Sequence, residues 1–259
     1  MSDQIEIPGS FPRAADVTGK RVVITGAGRG LGRLLAHAFS HGGARVTLVA
    51  RTEKDLKAVA DELEGPALVC AGDVTDPDFN EVVADATVAE WGRVDVWICN
   101  AGISPIVAGP RRTDPSVWRE VIDVNLTGAF LGARAAARVM GDGGRLIFTG
   151  SVLGERPRRG LSAYSASKAG LVGLAKGLAL DLAPAGITVN VVAPGWFDSP
   201  LVDGWKNNAQ LEAAVVGHTA QGRWGSATDL AGAYQFLASD AAAFVTGTVL
   251  NVDGGYLLV

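Results

Sequence analysis

Short apolar runs alternate with amphipathic stretches along most of this chain. Seven runs have strand length: 21–25, 45–50, 67–71, 94–99, 145–149, 187–192 and 248–252. Helical spacing of apolar residues follows in 31–41, 53–63, 76–91, 116–140, 162–182 and 227–239. Strands that are apolar at successive positions are buried on both faces, which is typical of a parallel sheet covered by helices. The pattern predicts an α/β fold with a doubly wound, seven-stranded parallel sheet and helices on both faces.

The same pattern predicts how the chain is divided. Residues 1–18 mix acidic residues, proline and glycine without periodicity, and we expect an N-terminal arm there. Residues 19–259 contain no linker, repeat or charge run, so we expect a single domain. Residues 194–226 form the one long segment without a predicted strand, and this segment is the expected lid over a site.

Composition and charge exclude several classes of function. Of the 259 residues, 48% are hydrophobic, which is enough for a sizeable core, and the net charge of −4 provides no basic field for nucleic acid. No apolar run approaches the length of a membrane span, and residues 1–15 lack the apolar core of a signal peptide. We therefore expect a soluble cytoplasmic protein with neither a nucleic acid nor a membrane as partner.

Cysteine and histidine usage gives no sign of metal chemistry. Cys70 and Cys99 both lie in predicted buried strands, where reduced core thiols are expected and a disulfide is not. The histidines, His37, His41 and His218, do not have metal-ligand spacing, and we interpret them as surface or pocket residues. No metal is expected in the site.

A glycine-rich turn, residues 25–32 (TGAGRGLG), lies between the first strand and the first helix. Glycines at this position let the backbone approach a pyrophosphate, and the helix N-terminus provides amide donors for it. After a strand and before a helix, the motif predicts dinucleotide binding, whereas alone it could be a simple tight turn. The residues expected to bind the cofactor here are Gly26, Arg29, Gly30, Leu31 and Gly32.

The end of the second strand indicates which dinucleotide binds. A carboxylate at this point usually binds the adenine ribose hydroxyls, but here the strand ends with Ala50 and Arg51. An arginine can bind a 2′-phosphate with two hydrogen bonds, and Arg29 could add a second positive charge. We therefore favour NADP(H) over NAD(H). The alternative is that both arginines are solvated surface residues.

Residues 151–168 contain the candidate chemistry. Tyr164 and Lys168 are four positions apart on a predicted helix, so they share one face. A nearby ammonium lowers the pKa of a phenol and makes it usable as an acid or base near neutral pH. The hydroxyl of Ser151 could orient a substrate oxygen toward that phenol. By itself, this spacing also occurs by chance on many helices.

Together, these motifs resemble the short-chain dehydrogenase/reductase family, in its shorter single-domain branch, over about residues 19–255. The resemblance implies a Rossmann-type fold and identifies Asn125, Ser151, Tyr164 and Lys168 as the catalytic residues. Further cofactor residues implied by it are Asp73, Val74, Asn100, Ala101, Gly102, Pro194, Gly195 and Ser199, with Tyr164 and Lys168. Two positions depart from the family pattern: Cys99 replaces an asparagine, and Ser199 replaces a threonine.

The resemblance also implies the reaction, a hydride transfer between nicotinamide and a carbonyl or secondary alcohol. Tyr164 would be the acid or base, and Ser151 would bind the substrate oxygen. Lys168 would lower the pKa of the tyrosine and hold the nicotinamide ribose. Asn125 would hold a water linking Lys168 to solvent; its alternative interpretation is a core asparagine at a helix kink. Enoyl reductases of the divergent branch fit worse, because they place six residues between tyrosine and lysine.

The substrate remains open at this level. The expected pocket comprises the loop 103–113, the loop after Ser151 and the lid from Trp196, including Phe197, Leu201, Val202 and Trp205. The arginines near it, Arg111, Arg112, Arg156, Arg158 and Arg159, either recognise an anionic substrate or are solvated. A 3-oxoacyl thioester reductase and a sugar or polyol dehydrogenase both fit. A non-catalytic NADP(H)-sensing regulatory protein is the alternative from another class.

The family resemblance further implies a homodimer or homotetramer. The helices predicted from Ser116 and from Ser162 are apolar and rich in alanine. In the family such helices pair across a two-fold axis, and closed symmetric assembly is also the general expectation.

Overall fold

The structure is a computed structural model that describes residues 14–105, 107–197 and 209–259. Its strands are β1 (Arg21–Thr25), β2 (Arg45–Ala50), β3 (Ala67–Ala71), β4 (Val96–Cys99), β5 (Arg145–Thr149), β6 (Thr188–Pro194) and β7 (Val249–Val252). Its helices are α1 (Gly30–His41), α2 (Glu53–Glu62), α3 (Pro77–Trp91), α4 (Pro115–Ile122), α5 (Gly128–Val139), α6 (Ser162–Leu182), α7 (Ala209–Gly217) and α8 (Ala227–Ala238).

All seven strands are parallel and form one sheet in the order β3-β2-β1-β4-β5-β6-β7. The prediction of a doubly wound, seven-stranded α/β fold is confirmed. The direction in which successive strands are added reverses between β1 and β4. In such sheets, a crevice opens at the carboxyl ends of the strands next to this reversal, and ligands bind there.

Helices cover both faces of the sheet and bury two cores. On one face, α1, α2 and α8 contribute Leu35, Phe39, Leu56, Tyr234 and Leu237. On the other face, the core includes side chains of α3, α5 and α6. Fully burying a leucine or phenylalanine side chain stabilises a fold by roughly 1.5–3 kcal/mol, so these two layers hold the strand ends in place.

The long helix predicted over 116–140 is present, but it is not uniform. The segment forms α4 and α5, separated by a π-helical turn at Asp123–Thr127. Within this turn, Asn125 is only 1% exposed, and its side chain bonds the backbone of Ile103 and the hydroxyl of Ser167. A π-turn adds a residue to the helix and is frequent at functional sites. In this protein the π-turn contains Asn125, whose polar side chain points into the interior.

The other predicted elements agree with the structure to within two residues at most boundaries. The helix predicted at 162–182 matches α6, which is followed by Pro184 and by Gly186 with φ of +71°. Cys70 lies in β3 and Cys99 in β4, and both thiols are free. The predicted lid includes α7, but residues 198–208 lie outside the described part, as do residues 1–13. The arm, the lid and the single domain stay predictions.

Among the described residues there is neither a membrane-spanning helix nor a metal-ligand cluster. None of their helices combines the length and the apolarity needed to cross a membrane. They contain no group of three or more histidine, cysteine, aspartate or glutamate residues that could hold a metal ion. His37 and His41 pair with Glu62 and Glu64 at the surface.

Candidate active site

A cavity of about 670 Å³ lies at the carboxyl ends of the strands. It extends from the glycine turn, past the end of β4, to the segment after β5. The predicted site residues that line it are Gly26, Arg29, Gly30, Leu31, Gly32, Arg51, Asp73, Val74, Asn100, Ala101, Gly102, Ser151, Tyr164, Lys168, Pro194 and Gly195. Ser199 lies outside the described residues, as do Leu201, Val202 and Trp205. The structure therefore brings nearly all of the predicted set into one cavity.

The glycine turn packs too closely against its surroundings to carry side chains. A Cβ on Gly32 would lie 2.1 Å from the carbonyl oxygen of Gly26. Gly26 itself has φ of +70°, and a Cβ there would lie 2.9 Å from the Cα of Ala101. Helix α1 starts at this turn, and no side chain caps its first amides. A bare backbone with open amide donors fits a pyrophosphate.

Thr25 joins the ends of β1 and β4. Its hydroxyl oxygen accepts from the backbone amides of Asn100 at 2.9 Å and Ala101 at 3.0 Å. The Asn100 side chain in turn donates to the carbonyl oxygen of Thr25 at 2.9 Å. These bonds fix the two neighbouring strand ends that form the floor of the cavity. Sequence reasoning included Thr25 only as part of the motif and missed this role.

Two arginines and one carboxylate line the cavity near the end of β2. Arg29 and Arg51 are both exposed. Strand β2 ends with Ala50, at the position where a ribose-binding carboxylate is usual. Asp55, in the first turn of α2, lines the same region, and its Cβ would lie 3.2 Å from a Cβ on Gly28. Sequence reasoning missed Asp55, although its position three residues after a helix N-cap is a readable signal.

Asp73 and Val74 follow β3 and also face the cavity. A carboxylate oxygen of Asp73 accepts from the amide of Thr75 at 2.9 Å and from its hydroxyl at 2.8 Å. The carbonyl oxygen of Val74 accepts from the side chain of Asn80 at 2.9 Å. Because both residues are fixed by local hydrogen bonds, they offer a rigid surface next to the glycine turn.

The side chains of Ser151 and Tyr164 approach each other inside the cavity, near enough for a hydrogen-bonding interaction to act on the pKa of the phenol. The Oγ of Ser151 also accepts from the amide of Leu153 at 3.1 Å, which holds the hydroxyl in place. Burial raises the pKa of Tyr164, and the hydrogen bond with Ser151 partly opposes that rise. The sequence predicted that the pKa of Tyr164 is lowered, and this prediction is wrong for the protein without ligands. Withdrawal of the phenol from water outweighs its hydrogen bond.

Lys168 is buried beside the tyrosine. Its Nζ lies 5.7 Å from the centre of the Tyr164 ring and donates to the carbonyl oxygen of Thr149 at 2.7 Å. Burial lowers the pKa of Lys168 to about 8, because the ammonium loses its hydration. Lys168 thus changes charge near physiological pH.

Asn125 links the loop after β4 to α6. Its Oδ1 accepts from the amide of Ile103 at 2.7 Å, and its Nδ2 donates to the Ile103 carbonyl and to the Ser167 hydroxyl, both at 3.0 Å. The Ser167 hydroxyl donates to the carbonyl of Tyr164 at 2.7 Å. Both amide hydrogens of Asn125 are used, so a water held by this side chain must donate to Oδ1.

The wall around Ser151 and Tyr164 is mostly apolar. Its apolar residues are Ile103, Pro105, Val107, Val152, Leu153, Leu161, Trp196 and Phe197. Two of the five arginines considered as anion-binding groups serve other contacts. Arg156 donates to the backbone oxygens of Tyr256 and Val259, and the guanidinium of Arg158 lies 5.2 Å from the centre of the Trp196 ring. Arg111, Arg112 and Arg159 are exposed.

Comparison with known proteins gives a consistent result. A family model described as enoyl-(acyl carrier protein) reductase matches residues 26–257. The chain is 38% identical over 243 residues to a 3-oxoacyl-[acyl-carrier-protein] reductase of Escherichia coli, covering 93% of this chain and 98% of the relative. It is 39% identical over 241 residues to a cis-4-hydroxycyclohexanecarboxylate dehydrogenase of Sinomonas cyclohexanicum, covering 92% and 96%.

Among solved structures, a short-chain dehydrogenase from Burkholderia cenocepacia in complex with NADP superposes with a TM-score of 0.86. It is 32% identical, and the match covers 93% of this chain and 99% of that one. The relatives support an enzyme that acts on alcohol and carbonyl groups with a nicotinamide cofactor. A family match over residues 26–257, with relatives more than one-third identical over most of the chain, means that this chain belongs to the short-chain dehydrogenase/reductase family.

Proposed function

We propose that this chain reduces the carbonyl of a largely apolar substrate with NADPH, or oxidises the corresponding secondary alcohol with NADP⁺. Ser151, Tyr164, Lys168 and Asn125 would be its catalytic residues. The observation that carries the proposal is that Ser151 and Tyr164 line the same cavity as the glycine turn, with Lys168 Nζ 5.7 Å from the centre of the Tyr164 ring. Tyr164 would then be a proton donor within reach of a bound nicotinamide.

Ser151 and Tyr164 would handle the substrate oxygen together. The amide of Leu153 donates to Ser151 Oγ, so the oxygen is held while its hydrogen can point to the substrate. In reduction, Tyr164 would give its proton to the oxygen of the carbonyl, and in oxidation it would take the proton of the alcohol. The nicotinamide, when bound, supplies or accepts the hydride.

Lys168 would stabilise the phenolate form of Tyr164. Its ammonium lies near the ring and is fixed by Thr149, so it needs no reorganisation when negative charge develops on the phenol. Asn125 would act indirectly, by bonding Ser167 and the backbone of Ile103 and so fixing α6 relative to the loop after β4. A water that donates to Oδ1 of Asn125 would link Lys168 to solvent.

The cofactor would be held by the residues that line the long end of the cavity. The glycine turn would bind the pyrophosphate. The remainder of the dinucleotide would contact Asp73, Val74, residues 100–102, Pro194 and Gly195, which line the same cavity. Arg29 and Arg51 support NADP(H) over NAD(H), because two cations suit a 2′-phosphate. The relative from Burkholderia cenocepacia is in complex with NADP. The predicted contact of Ser199 with the nicotinamide carboxamide belongs to the same proposal.

The apolar wall supports an acyl or alicyclic substrate over a polyol. A sugar buries several hydroxyls, each of which needs a hydrogen-bond partner. Among the described lining residues at this end, the polar side chains other than Tyr164 and Lys168 are Ser104, Thr149 and Ser151, and the Thr149 hydroxyl is already bonded to Tyr234. A 3-oxoacyl thioester, the substrate class in the name of the Escherichia coli relative, is therefore the favoured substrate.

We also propose a cytoplasmic homodimer or homotetramer. Trp118 on α4 and Phe130 on α5 are 41% and 42% exposed, which is unusual for large apolar side chains and supports burial against a second copy. Light scattering on the purified protein would measure the mass of the assembly. A monomer at micromolar concentration would contradict this part of the proposal.

A substrate screen tests the proposed function. Purified protein would be assayed with NADPH and NADH on 3-oxoacyl thioesters, alicyclic ketones, steroid ketones and keto-sugar acids. We expect kcat/KM with NADPH to be at least about tenfold higher for the thioesters and ketones than for the sugar acids. Turnover of sugar acids alone would favour the polyol alternative. Nucleotide binding without turnover of any compound would favour the regulatory alternative.

A further inference from the structure

A third, small core lies behind the substrate wall, apart from the two cores that cover the sheet. We call it the wall core; its buried members are Val152, Leu153, Leu161, Trp196, Val215 and Tyr256. They come from the segment after Ser151, the end of β6, helix α7 and the turn after β7. Tyr164 packs against the same group. The wall core thus joins four separate parts of the chain directly beside the catalytic tyrosine.

Arg156 ties two of these parts together. It follows the short turn after Ser151, where its amide donates to the carbonyl of Val152 at 2.8 Å. Its Nη1 donates to the backbone oxygen of Tyr256 at 3.0 Å and also to that of Val259. Its guanidinium lies 5.4 Å from the centre of the Tyr256 ring, within the range of a cation–π contact. Arg156 therefore binds the C-terminal turn, which carries Tyr256 and Val259, by hydrogen bonds and by a cation–π contact.

Tyr256 carries this restraint to the wall of the cavity. Its side chain is 3% exposed, and its ring meets Trp196 edge-on, with centroids 6.1 Å apart and planes at 69°. The loop that carries Tyr256 is rigid, because Asp253 accepts from the amides of Gly255 and Leu257. Trp196 itself lines the cavity with Ser151 and Tyr164. A chain of contacts therefore runs from Arg156 through Tyr256 to the substrate wall.

We propose that Arg156 is a positioning residue: by holding Tyr256 and Val259, it fixes the Trp196 ring as the wall of the substrate cavity and so sets which substrates fit. The inference rests on the proposed function, since the wall matters only if a substrate occupies the cavity. It also assigns a role to an arginine that the sequence offered as an anion-binding group. Substrates large enough to reach Trp196 depend on the anchor, whereas small ones do not.

Kinetics of three variants test the anchor. Arg156→Ala removes it, Arg156→Lys keeps the charge but loses the planar fork, and Tyr256→Leu keeps apolar volume but removes the ring. Arg159→Ala and Tyr256→Phe are the matched controls, because Arg159 is exposed and phenylalanine keeps the ring. The substrates are decalone as a large ketone and butanone as a small one, with the dissociation constant of NADPH measured for every protein.

For Arg156→Ala and Tyr256→Leu, we expect KM for decalone to rise about tenfold, because part of the packing surface for the large substrate is lost. The KM for butanone and the dissociation constant of NADPH should stay within about twofold of wild type. Unchanged NADPH binding also shows that the variants fold. Arg156→Lys should fall between wild type and Arg156→Ala, and the two controls should behave as wild type. Unchanged KM for decalone in both anchor variants would overturn the proposal.

A measurement without turnover separates this inference from the proposed function. The chain has six tryptophans, so acrylamide quenching is compared with and without Trp196→Phe to isolate the signal of Trp196. We expect Arg156→Ala and Tyr256→Leu to increase the quenching of Trp196 at least about twofold, since the ring loses its fixed packing. Increased quenching in a protein that turns over no ketone would support the anchor while the proposed function fails.

Adding an anionic substrate, a keto acid, to the same kinetic series identifies the competing role of Arg156. If Arg156 binds an anionic substrate instead, Arg156→Ala raises KM only for anionic substrates. Tyr256→Leu then has no effect, and the quenching of Trp196 is unchanged in both variants. That set of results would overturn the positioning role.

Discussion

The Nζ of Lys168 donates to the carbonyl oxygen of Thr149 at 2.7 Å, which joins helix α6 to the carboxyl end of β5. Both residues are buried, so the bond forms where an ammonium is poorly hydrated. The cost of this burial appears in the pKa of Lys168, which falls to about 8. The site thus keeps a cation whose charge is only marginally stable, next to the phenol that would need it.

Removing this lysine should stabilise the fold and remove activity. The pKa of Lys168 is lowered by folding, so the unfolded chain binds more protons between about pH 8 and the ordinary value of 10.5. The free energy of unfolding contributed by Lys168 therefore rises with pH through this window. We expect Lys168→Met to lose that rise while its Tm at pH 7 stays at or above that of wild type. Calorimetry from pH 7 to 10 measures the Tm and the change of the free energy of unfolding with pH. The same pH dependence in the variant as in wild type would contradict the assignment.

Turnover should depend on the phenol of Tyr164. Tyr164→Phe keeps the ring but removes the group that transfers the proton, so kcat should fall by about 10²–10⁴-fold. NADPH binding, measured by fluorescence, should stay within about twofold, because the glycine turn and Arg51 are intact. Turnover near the wild-type rate would rule out Tyr164 as the acid.

Arg51 should decide between the two dinucleotides. We expect Arg51→Ala to weaken NADPH about fivefold to tenfold and NADH by less than about twofold, since only NADPH has a 2′-phosphate. Arg45→Ala is the matched control, because Arg45 is an exposed arginine at the opposite end of β2. Equal effects on both nucleotides would refute the 2′-phosphate contact.

A second buried tyrosine should support the floor of the site. The hydroxyl of Tyr234, on α8, bonds that of Thr149 at 2.8 Å, and the Thr149 hydroxyl donates to the side chain of Asn100 at 3.3 Å. Tyr234 must then be the donor to Thr149. We expect Tyr234→Phe to lower the free energy of unfolding by about 1–3 kcal/mol, because a buried hydroxyl loses its partner.

A double-mutant cycle isolates this bond. Thr149→Val removes the other hydroxyl, so the double variant Tyr234→Phe/Thr149→Val should be less destabilised than the sum of the single variants. Urea denaturation measures all four proteins. Additive losses would show that the two hydroxyls do not cooperate.

Local sequence determined most of the fold and predicted most of the residues that line the cavity. Continuous apolar strands and amphipathic helices are local patterns, and they indicated the layers of the sheet before any contact was known. The glycine turn is also readable as a local motif, and one of its close contacts is local, since a Cβ on Gly32 would meet the carbonyl oxygen of Gly26. The irregularity within the 116–140 helix was readable only as the alternative of a kink at a core asparagine, and the partners of Asn125, Ile103 and Ser167, became known only from the fold.

Tertiary structure decided the electrostatics of the site and the contacts that Arg156 makes. From spacing alone, Lys168 was expected to lower the pKa of Tyr164, but the pKa of the phenol rises because folding removes it from water. Arg156 looked like a possible anion-binding group until folding brought Tyr256 and Val259 to it, some hundred positions along the chain. Sequence determines which groups are available. Burial and long-range contacts, which depend on the whole fold, determine their charge and their partners.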